Sequence, residues 1–352
     1  MPSLTDNLGW GAVDRIETTD LALGGNETNA PNRMLRQLAS RDKWLFDQLG
    51  GDAIASFNAF RDIGMSAIAQ GRLTLATGEP LPSSDQLAKT TLYYTPDGGD
   101  LIAYYDGAAE RWKIEQFPEL VLPLAGLSAS TNYDIFLTRT GADFGLEAVA
   151  WSNSGAGSSA RNQAIGRRNG VLVKTADNRR LLGTIRTTST GQTEDSRQRR
   201  LVWNVHNKRV RTIAAQEPAA AWTYTTTAWR YVNNNSNNKI EVVCGDTSWI
   251  ELTHSAHIYK RGMIGIGENS STASISFPAV SLEGKYEGPG ITIGTSTSRY
   301  PKIGYSYYSM IEVIDNAGII FGGGATFFGV GELSGSGTEM AFGGNLSGGF
   351  EC

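Results

Sequence analysis

Three histidines, His206, His254 and His257, supply all the imidazole in this chain of 352 residues. A helical metal pair needs them at i and i+4, and His254-x-x-His257 is spaced by three. Zinc would need further Cys or His nearby, and only Cys244 qualifies. A serine nucleophile would sit on a strained turn such as Gly-x-Ser-x-Gly. Gly335-Ser336-Gly337 and Gly155-Ala156-Gly157 do not match it and read as turns. Glycoside hydrolysis needs two carboxylates flanking one bond. Glu194, Asp195, Glu241, Asp246, Glu251, Glu312 and Asp315 are the available set. Neighbours in a strand face opposite ways, so Glu194 and Asp195 can act together only from a loop. These patterns carry no catalytic signature, and no metal or cofactor is expected.

The strongest electrostatic signal is basic. Residues 161–211 hold 13 Lys/Arg against 3 Asp/Glu, a balance of +10 in a chain of net charge −4. Arg167-Arg168, Arg179-Arg180, Arg199-Arg200 and Lys208-Arg209 are doublets. Arginine forks suit phosphate and carboxylate. Three readings stand: contact with an anionic surface such as acidic polysaccharide, docking on acidic faces of neighbouring subunits, or a solvated strand surface with no partner. Nucleic acid would want aromatics interleaved with the basic run, and only Trp203 falls within it, so no nucleic-acid partner is expected. Tyr305, Tyr307 and Tyr308, with Tyr300 before them, are candidate sugar platforms. In a strand Tyr305 and Tyr307 share a face and Tyr308 points the other way.

These residues need a scaffold, and the composition points to strands. Gly is abundant at 42 residues and charged residues make up 19%. Two cysteines, Cys244 and Cys352, make no disulfide framework. No signal peptide or apolar run of membrane-spanning length is visible, so synthesis in a cytoplasm with reduced thiols and no membrane insertion are expected.

The texture changes near residue 72. Residues 1–29 read as an extended arm. Pro31 suits a first helical turn. Leu35, Leu38, Leu45 and Leu49 form one stripe, interrupted by Asp42. Gly50-Gly51 ends that helix, and Ile54, Phe57, Phe60, Ile63, Ala67 and Ile68 give a second one an apolar face. The pair suits a hairpin or a threefold seam. From Leu73 the period becomes two. Segments such as 91–94, 101–105, 133–137, 146–151, 181–185, 201–204 and 240–243 read as strands, and 263–267, 273–277, 303–308 and 310–314 follow. Spacing near ten residues predicts antiparallel, sandwich-like β domains after a short helical segment. The expected division is 1–72, an arm and helical attachment region; 73–255, a β shaft or sandwich; and 256–352, a distal Gly-rich β domain.

Gly71-Arg-Leu-Thr-Leu75, Thr91-Leu-Tyr-Tyr-Thr-Pro96 and Ile102-Ala-Tyr-Tyr-Asp-Gly107 resemble a module of tailed-bacteriophage virion proteins. Tyr133-Asp-Ile-Phe136, Leu182-Gly-Thr-Ile-Arg-Thr-Thr-Ser189, Glu194-Asp-Ser196, Trp203-Asn204, Trp222-Thr-Tyr-Thr-Thr226 and Ile303-Gly-Tyr-Ser-Tyr-Tyr308 follow in the same order. Asn32-Arg33 with Leu35-Arg-Gln-Leu38 is similar to attachment regions of phage tail fibres. The resemblance implies a β-rich tail fibre or appendage, a homotrimer, fixed to other tail or neck proteins through its N-terminal region. Its motifs are structural, so no enzymatic activity is expected. The distal end would meet host surface polysaccharide, with Tyr305, Tyr307 and Tyr308 as receptor residues. Leu35, Leu38, Leu45, Leu49, Phe57 and Phe60 would serve attachment or trimerisation. A capsid or neck decoration protein without host contact, or a polysaccharide depolymerase, are the alternatives.

Overall fold

Period-two alternation in the sequence becomes strands in space. In Lys239–Cys244, Ile240 and Val242 are buried while Lys239 and Glu241 face outward. A strand turns successive side chains to opposite faces, so one face enters the core throughout while the other is partly exposed at Lys239 and Glu241 and buried at Val243. The computed structural model describes residues 65–259, 262–281, 291–314, 325–328 and 345–352. These residues are mainly β. The chain divides after Ser66, and Ala67–Cys352 is one unit. The leucine and phenylalanine stripe of residues 35–60 lies outside the described residues.

Among the described residues, the largest sheet has twelve strands. Its main path runs Ala279–Ser281, Gly262–Glu268, Gly304–Val313, Lys239–Cys244, Arg199–Arg200, Gln192–Asp195, Leu181–Ser189, Asn132–Thr140 and Asp143–Ala150. Pairing is antiparallel along this path except between Arg199–Arg200 and Lys239–Cys244, which run parallel with Arg199 opposite Glu241. A six-stranded sheet is built on Ile250–Tyr259, and a three-stranded sheet joins Gly71–Thr74, Thr91–Pro96 and Leu120–Pro123. The strand Ile250–Tyr259 runs through residue 255, so the boundary expected there falls inside a strand.

Two cores hold these layers together. In one, Ile240, Val242, Ile264, Ile266, Tyr308 and Met310 of the large sheet meet Ile213, Trp222, Ile250, Leu252, Ile258 and Phe350 of the six-stranded sheet. In the other, Leu73, Leu92, Tyr94 and Leu120 of the three-stranded sheet meet Tyr133, Ile135, Leu182, Ile185 and Val202. Burying each such aliphatic chain contributes about 1.5–3 kcal/mol. Leu181–Ser189 bridges the two regions, because Val202–Asn204 pairs with it and carries Trp203 into the first core.

Two local expectations fail. Ala67 and Ile68 are not helical: the Ile68 carbonyl accepts from the Ala103 amide (2.9 Å), and Ala69 bridges Ile102. Residues 273–277 are not a strand. Ser276 Oγ accepts from the Ile266 amide (3.1 Å) and Ser274 Oγ donates to the Ser276 carbonyl (3.0 Å). Such side-chain bonds compete with a ladder and fold the segment into turns.

Candidate binding site

Two of the arginine doublets, Arg167-Arg168 and Arg199-Arg200, lie in strands, where alternation sends neighbours to opposite faces. Arg199 is half-buried on the outward face, while Arg200 is buried and donates to Asp195 (3.0 Å) and to the Thr212 carbonyl (2.8 Å). Arg179 pairs with Glu147 at 2.7 Å, while Arg180 is buried and donates to the Ala103 carbonyl at 3.0 Å. Arg180 and Arg200 therefore leave the expected anion-binding set, since neither reaches solvent. Arg167 is exposed and pairs with Asp246 at 2.9 Å. Arg168 lies over the Tyr105 ring and donates to its hydroxyl. Deeper in, Arg161 holds the buried Asp134 at 2.7 Å and caps Trp151, with Thr184 donating to the same carboxylate at 2.8 Å.

The outward face of the large sheet carries a continuous polar ladder. Tyr307 stands opposite Glu241, and Glu241 opposite Arg199. The Tyr305 hydroxyl donates to Glu241 Oε2 at 2.8 Å. Arg199 Nε and Lys239 Nζ lie 3.3 and 3.5 Å from Glu241 Oε1, and Arg199 Nη1 reaches Glu194 at 3.2 Å. Arg186 stacks on Tyr305, its guanidinium carbon 3.8 Å from the ring centre. Through Nη1 it donates to Asn132 Oδ1 (3.0 Å) and the Ser154 carbonyl (2.8 Å). A surface cavity of about 170 Å³ opens here, lined by Ser130, Arg186, Thr188, Arg199, Glu241 and Tyr305 among others. Burial pushes the Tyr305 phenol up, and Glu241 adds to that. Burial pulls Arg186 below its usual range, opposed by Tyr305 and Glu241.

The tyrosines thus separate as alternation requires, but two lose their role as open platforms. Tyr308 is fully buried in the core, its hydroxyl donating to Glu268 (3.2 Å). Tyr305 is 8% exposed, and Arg186 covers its ring. Tyr307 remains half-buried, with Lys239 Nζ 5.1 Å from its ring centre. Tyr300 is 65% exposed and meets Trp249, itself 42% exposed, edge to face at 5.2 Å. Sequence reasoning missed that pair: Trp249 precedes one strand and Tyr300 follows its partner, and only the pairing of Ile250 with Arg299 brings them together.

The other candidate groups stay apart. His254 is buried in the core with Nδ1 against the Gly265 carbonyl (2.9 Å), and burial lowers its pKa to about 4. His257 lies on the opposite face beside Thr292. His206 takes Arg180 as donor, and burial, with Arg180, lowers its pKa to about 3. Glu194 and Asp195 occupy opposite faces of one strand. Glu194 and Glu241 do converge, but Arg199 sits between them where a glycosidic bond would have to lie. Glu312 is buried, bonded by Trp222 Nε1 (2.7 Å), Arg230 Nε (2.8 Å) and the Asn233 amide (3.1 Å); burial raises its pKa to about 7. Glu251 is exposed, and Asp315 lies outside the described residues. Among the described residues no group of His, Cys, Asp and Glu could hold a metal ion, and no helix is long and apolar enough to cross a membrane.

No protein-family model matches the chain, and no curated protein sequence matches it. Among solved structures it is similar to the insecticidal delta-endotoxin Cry8Ea1 of Bacillus thuringiensis, with TM-score 0.23 and 8% identity, covering 83% of this chain and 55% of that one. A Cry1Da tryptic core variant from the same organism gives TM-score 0.21 and 9% identity, covering 82% and 54%. The infectious bursal disease virus VP2 subviral particle gives TM-score 0.23 and 12% identity, covering 81% and 77%. The chain spans about half the length of the two toxins, and likenesses of this size carry no argument about function.

Proposed function

We propose that this chain is a structural component of a tailed-bacteriophage virion, a tail fibre or related appendage. It attaches through residues 1–72, assembles as a homotrimer, and meets host surface polysaccharide through its β body. The ordered run of motifs from Gly71 to Tyr308 supports the virion reading. The polar ladder across Arg186, Arg199, Glu241, Lys239, Tyr305 and Tyr307 is the observation that carries the contact function. Its hydroxyls and paired charges offer hydrogen-bond donors and acceptors around a small cavity lined mainly by polar groups.

The carboxylates sit in ion pairs and hydrogen bonds instead of flanking an open cleft, which favours binding over cleavage. Three weak sites on one trimer would gain affinity by avidity. Light scattering on the purified full-length protein, gold-labelled antibody on particles and a host-cell binding assay test this reading together. The expected results are a mass of three chains, label on the tail and saturable adsorption to cells. A clean monomer with label on the capsid shell and no cell binding refutes it in favour of a decoration protein. Clearing of host polysaccharide by purified protein refutes the non-enzymatic part.

A further inference from the structure

The positive charges around the 170 Å³ cavity are matched unevenly. Arg199 sits between Glu194 and Glu241, and Lys239 also reaches Glu241. Arg186 has neutral partners: an amide oxygen, a backbone carbonyl and the Tyr305 ring. Among the described residues no carboxylate pairs directly with it. Arg186, Arg199 and Lys239 against Glu194 and Glu241 leave one positive charge over, and it rests on Arg186. That guanidinium is half-buried and lies over the Tyr305 ring. Its Nη1 is committed, which leaves the Nε and Nη2 edge, the one shaped for bidentate carboxylate binding.

The rest of the cavity suits a sugar ring. Glu241 lines the cavity, and its Oε1 lies 3.3 Å from Arg199 Nε, an atom closed to solvent. The Thr188 hydroxyl has one long contact, 3.5 Å to the Gln192 carbonyl, and Ser130 is exposed at the rim. A sugar hydroxyl can donate to the Glu241 carboxylate and exchange hydrogen bonds with the Thr188 hydroxyl, both of which line the cavity. A volume near 170 Å³ holds one monosaccharide.

We infer that this cavity is a subsite for a single uronic acid residue of a surface polysaccharide, with Arg186 taking the carboxylate and Glu241 and Thr188 the ring hydroxyls. The inference rests on the reading of the chain as a host-surface binding protein and names the class of sugar it takes.

The test measures binding of full-length protein to immobilised polygalacturonate, polyglucuronate and polymannuronate, and to the carboxyl-reduced form of each. At least one uronate polymer should bind at least about tenfold more tightly than its reduced form, the worth of one charge-assisted contact. Arg186→Gln should remove that preference, and Arg186→Lys should not restore it. Because Arg186 also tethers Asn132 and Ser154, a second variant guards against misfolding: Thr188→Trp fills the cavity and leaves those bonds intact. It should abolish uronate binding with unchanged thermal stability. Arg179→Gln, at a basic site outside the cavity, should bind as wild type. Equal binding of each polymer and its reduced form, or equal losses in Arg186→Gln and Arg179→Gln, overturns the inference. If cell adsorption persists in that case, the attachment reading survives; if wild-type protein binds neither uronates nor cells, both fall.

Discussion

Protonating His254 should make this fold acid-labile well above the range where carboxylates titrate. The ring is fully buried among the residues of the larger core. Its Nδ1–H donates to the Gly265 carbonyl, and Nε2 has no partner. The fold therefore holds the neutral ring, and a second proton would bury an unpaired N–H on a cation. Burial lowers the folded pKa to about 4, against about 6.5 in an unfolded chain. With the folded value depressed, the stabilising contribution is complete above pH 6.5 and is lost as pH falls towards 4. The loss is about 2 kcal/mol at pH 5 and about 3 kcal/mol at pH 4. Urea unfolding followed by tryptophan fluorescence at pH 7.5, 6, 5 and 4 measures it. His254→Asn keeps an N–H donor near Nδ1 and does not titrate. It should be less stable than wild type at pH 7.5, and the gap should close by the same 2–3 kcal/mol on acidification. The comparison cancels other groups in the window, including Glu312, whose burial raises its pKa to about 7 and which would act with the opposite sign. A gap constant from pH 7.5 to 4.5 would refute a buried neutral His254.

Three further outcomes are expected. Gly183→Ala should cost roughly 3 kcal/mol or more, read as a fall in the urea midpoint, because its Cβ would stand 2.1 Å from the Trp203 carbonyl oxygen, a backbone atom with no freedom to move. Arg161→Met should cost about 3–5 kcal/mol by leaving Asp134, 2% exposed, without its cation. Adding Asp134→Asn should recover part of that loss in a double-mutant cycle. Cys244 and Cys352 are free and buried, and burial pushes their thiols up to about 12 and about 11. Neither should react with an aromatic disulfide reagent in native buffer, and both should react in denaturant.

Most strands were legible because alternation is written in the residue order. Lys239–Cys244, Leu101–Asp106 and Asn132–Thr140 each begin or end within about three residues of their expected limits. Some of the strands missed have residues that carry little alternation. Val210–Gln216 and Ile291–Arg299 are polar and small, and long-range partners hold them: Val210 pairs with Glu351, and Ile291 with Ile258. Residues 273–277 show the converse, since alternating Ser and apolar residues looked like a strand until the hydroxyls bonded backbone. The candidate site was half visible. Alternation placed Tyr305 and Tyr307 together and Tyr308 away. It should equally have split Arg199 from Arg200, which a run of like charge obscured. Arg186, the arginine that matters most at the cavity, is a singlet, and its neighbours Asn132 and Tyr305 come from distant strands.

The basic segment looks different once folded. Along the sequence, +10 in residues 161–211 faces −14 elsewhere. In space Asp134, Asp246, Glu147, Glu241 and Asp97 come to Arg161, Arg167, Arg179, Arg199 and Arg209 from outside that segment. These pairs stitch the segment to the rest of the sheet, and their fields cancel within a few ångströms. The exposed pairs among them contribute little stability each, about 0–1 kcal/mol, the buried Arg161–Asp134 pair being the exception. Their larger effect is on the field: five carboxylates from outside offset half of the segment's +10 at close range. Anion recognition that survives this cancellation must be short-ranged and stereospecific, which is what an unmatched guanidinium stacked on Tyr305 provides. Uronate binding should accordingly weaken only modestly between 50 and 300 mM salt, because one partly buried contact is screened far less than a row of exposed charges. A steep salt dependence would instead mean that the polymer lies along the surface, held by many exposed cations, and that Arg186 is not its anchor.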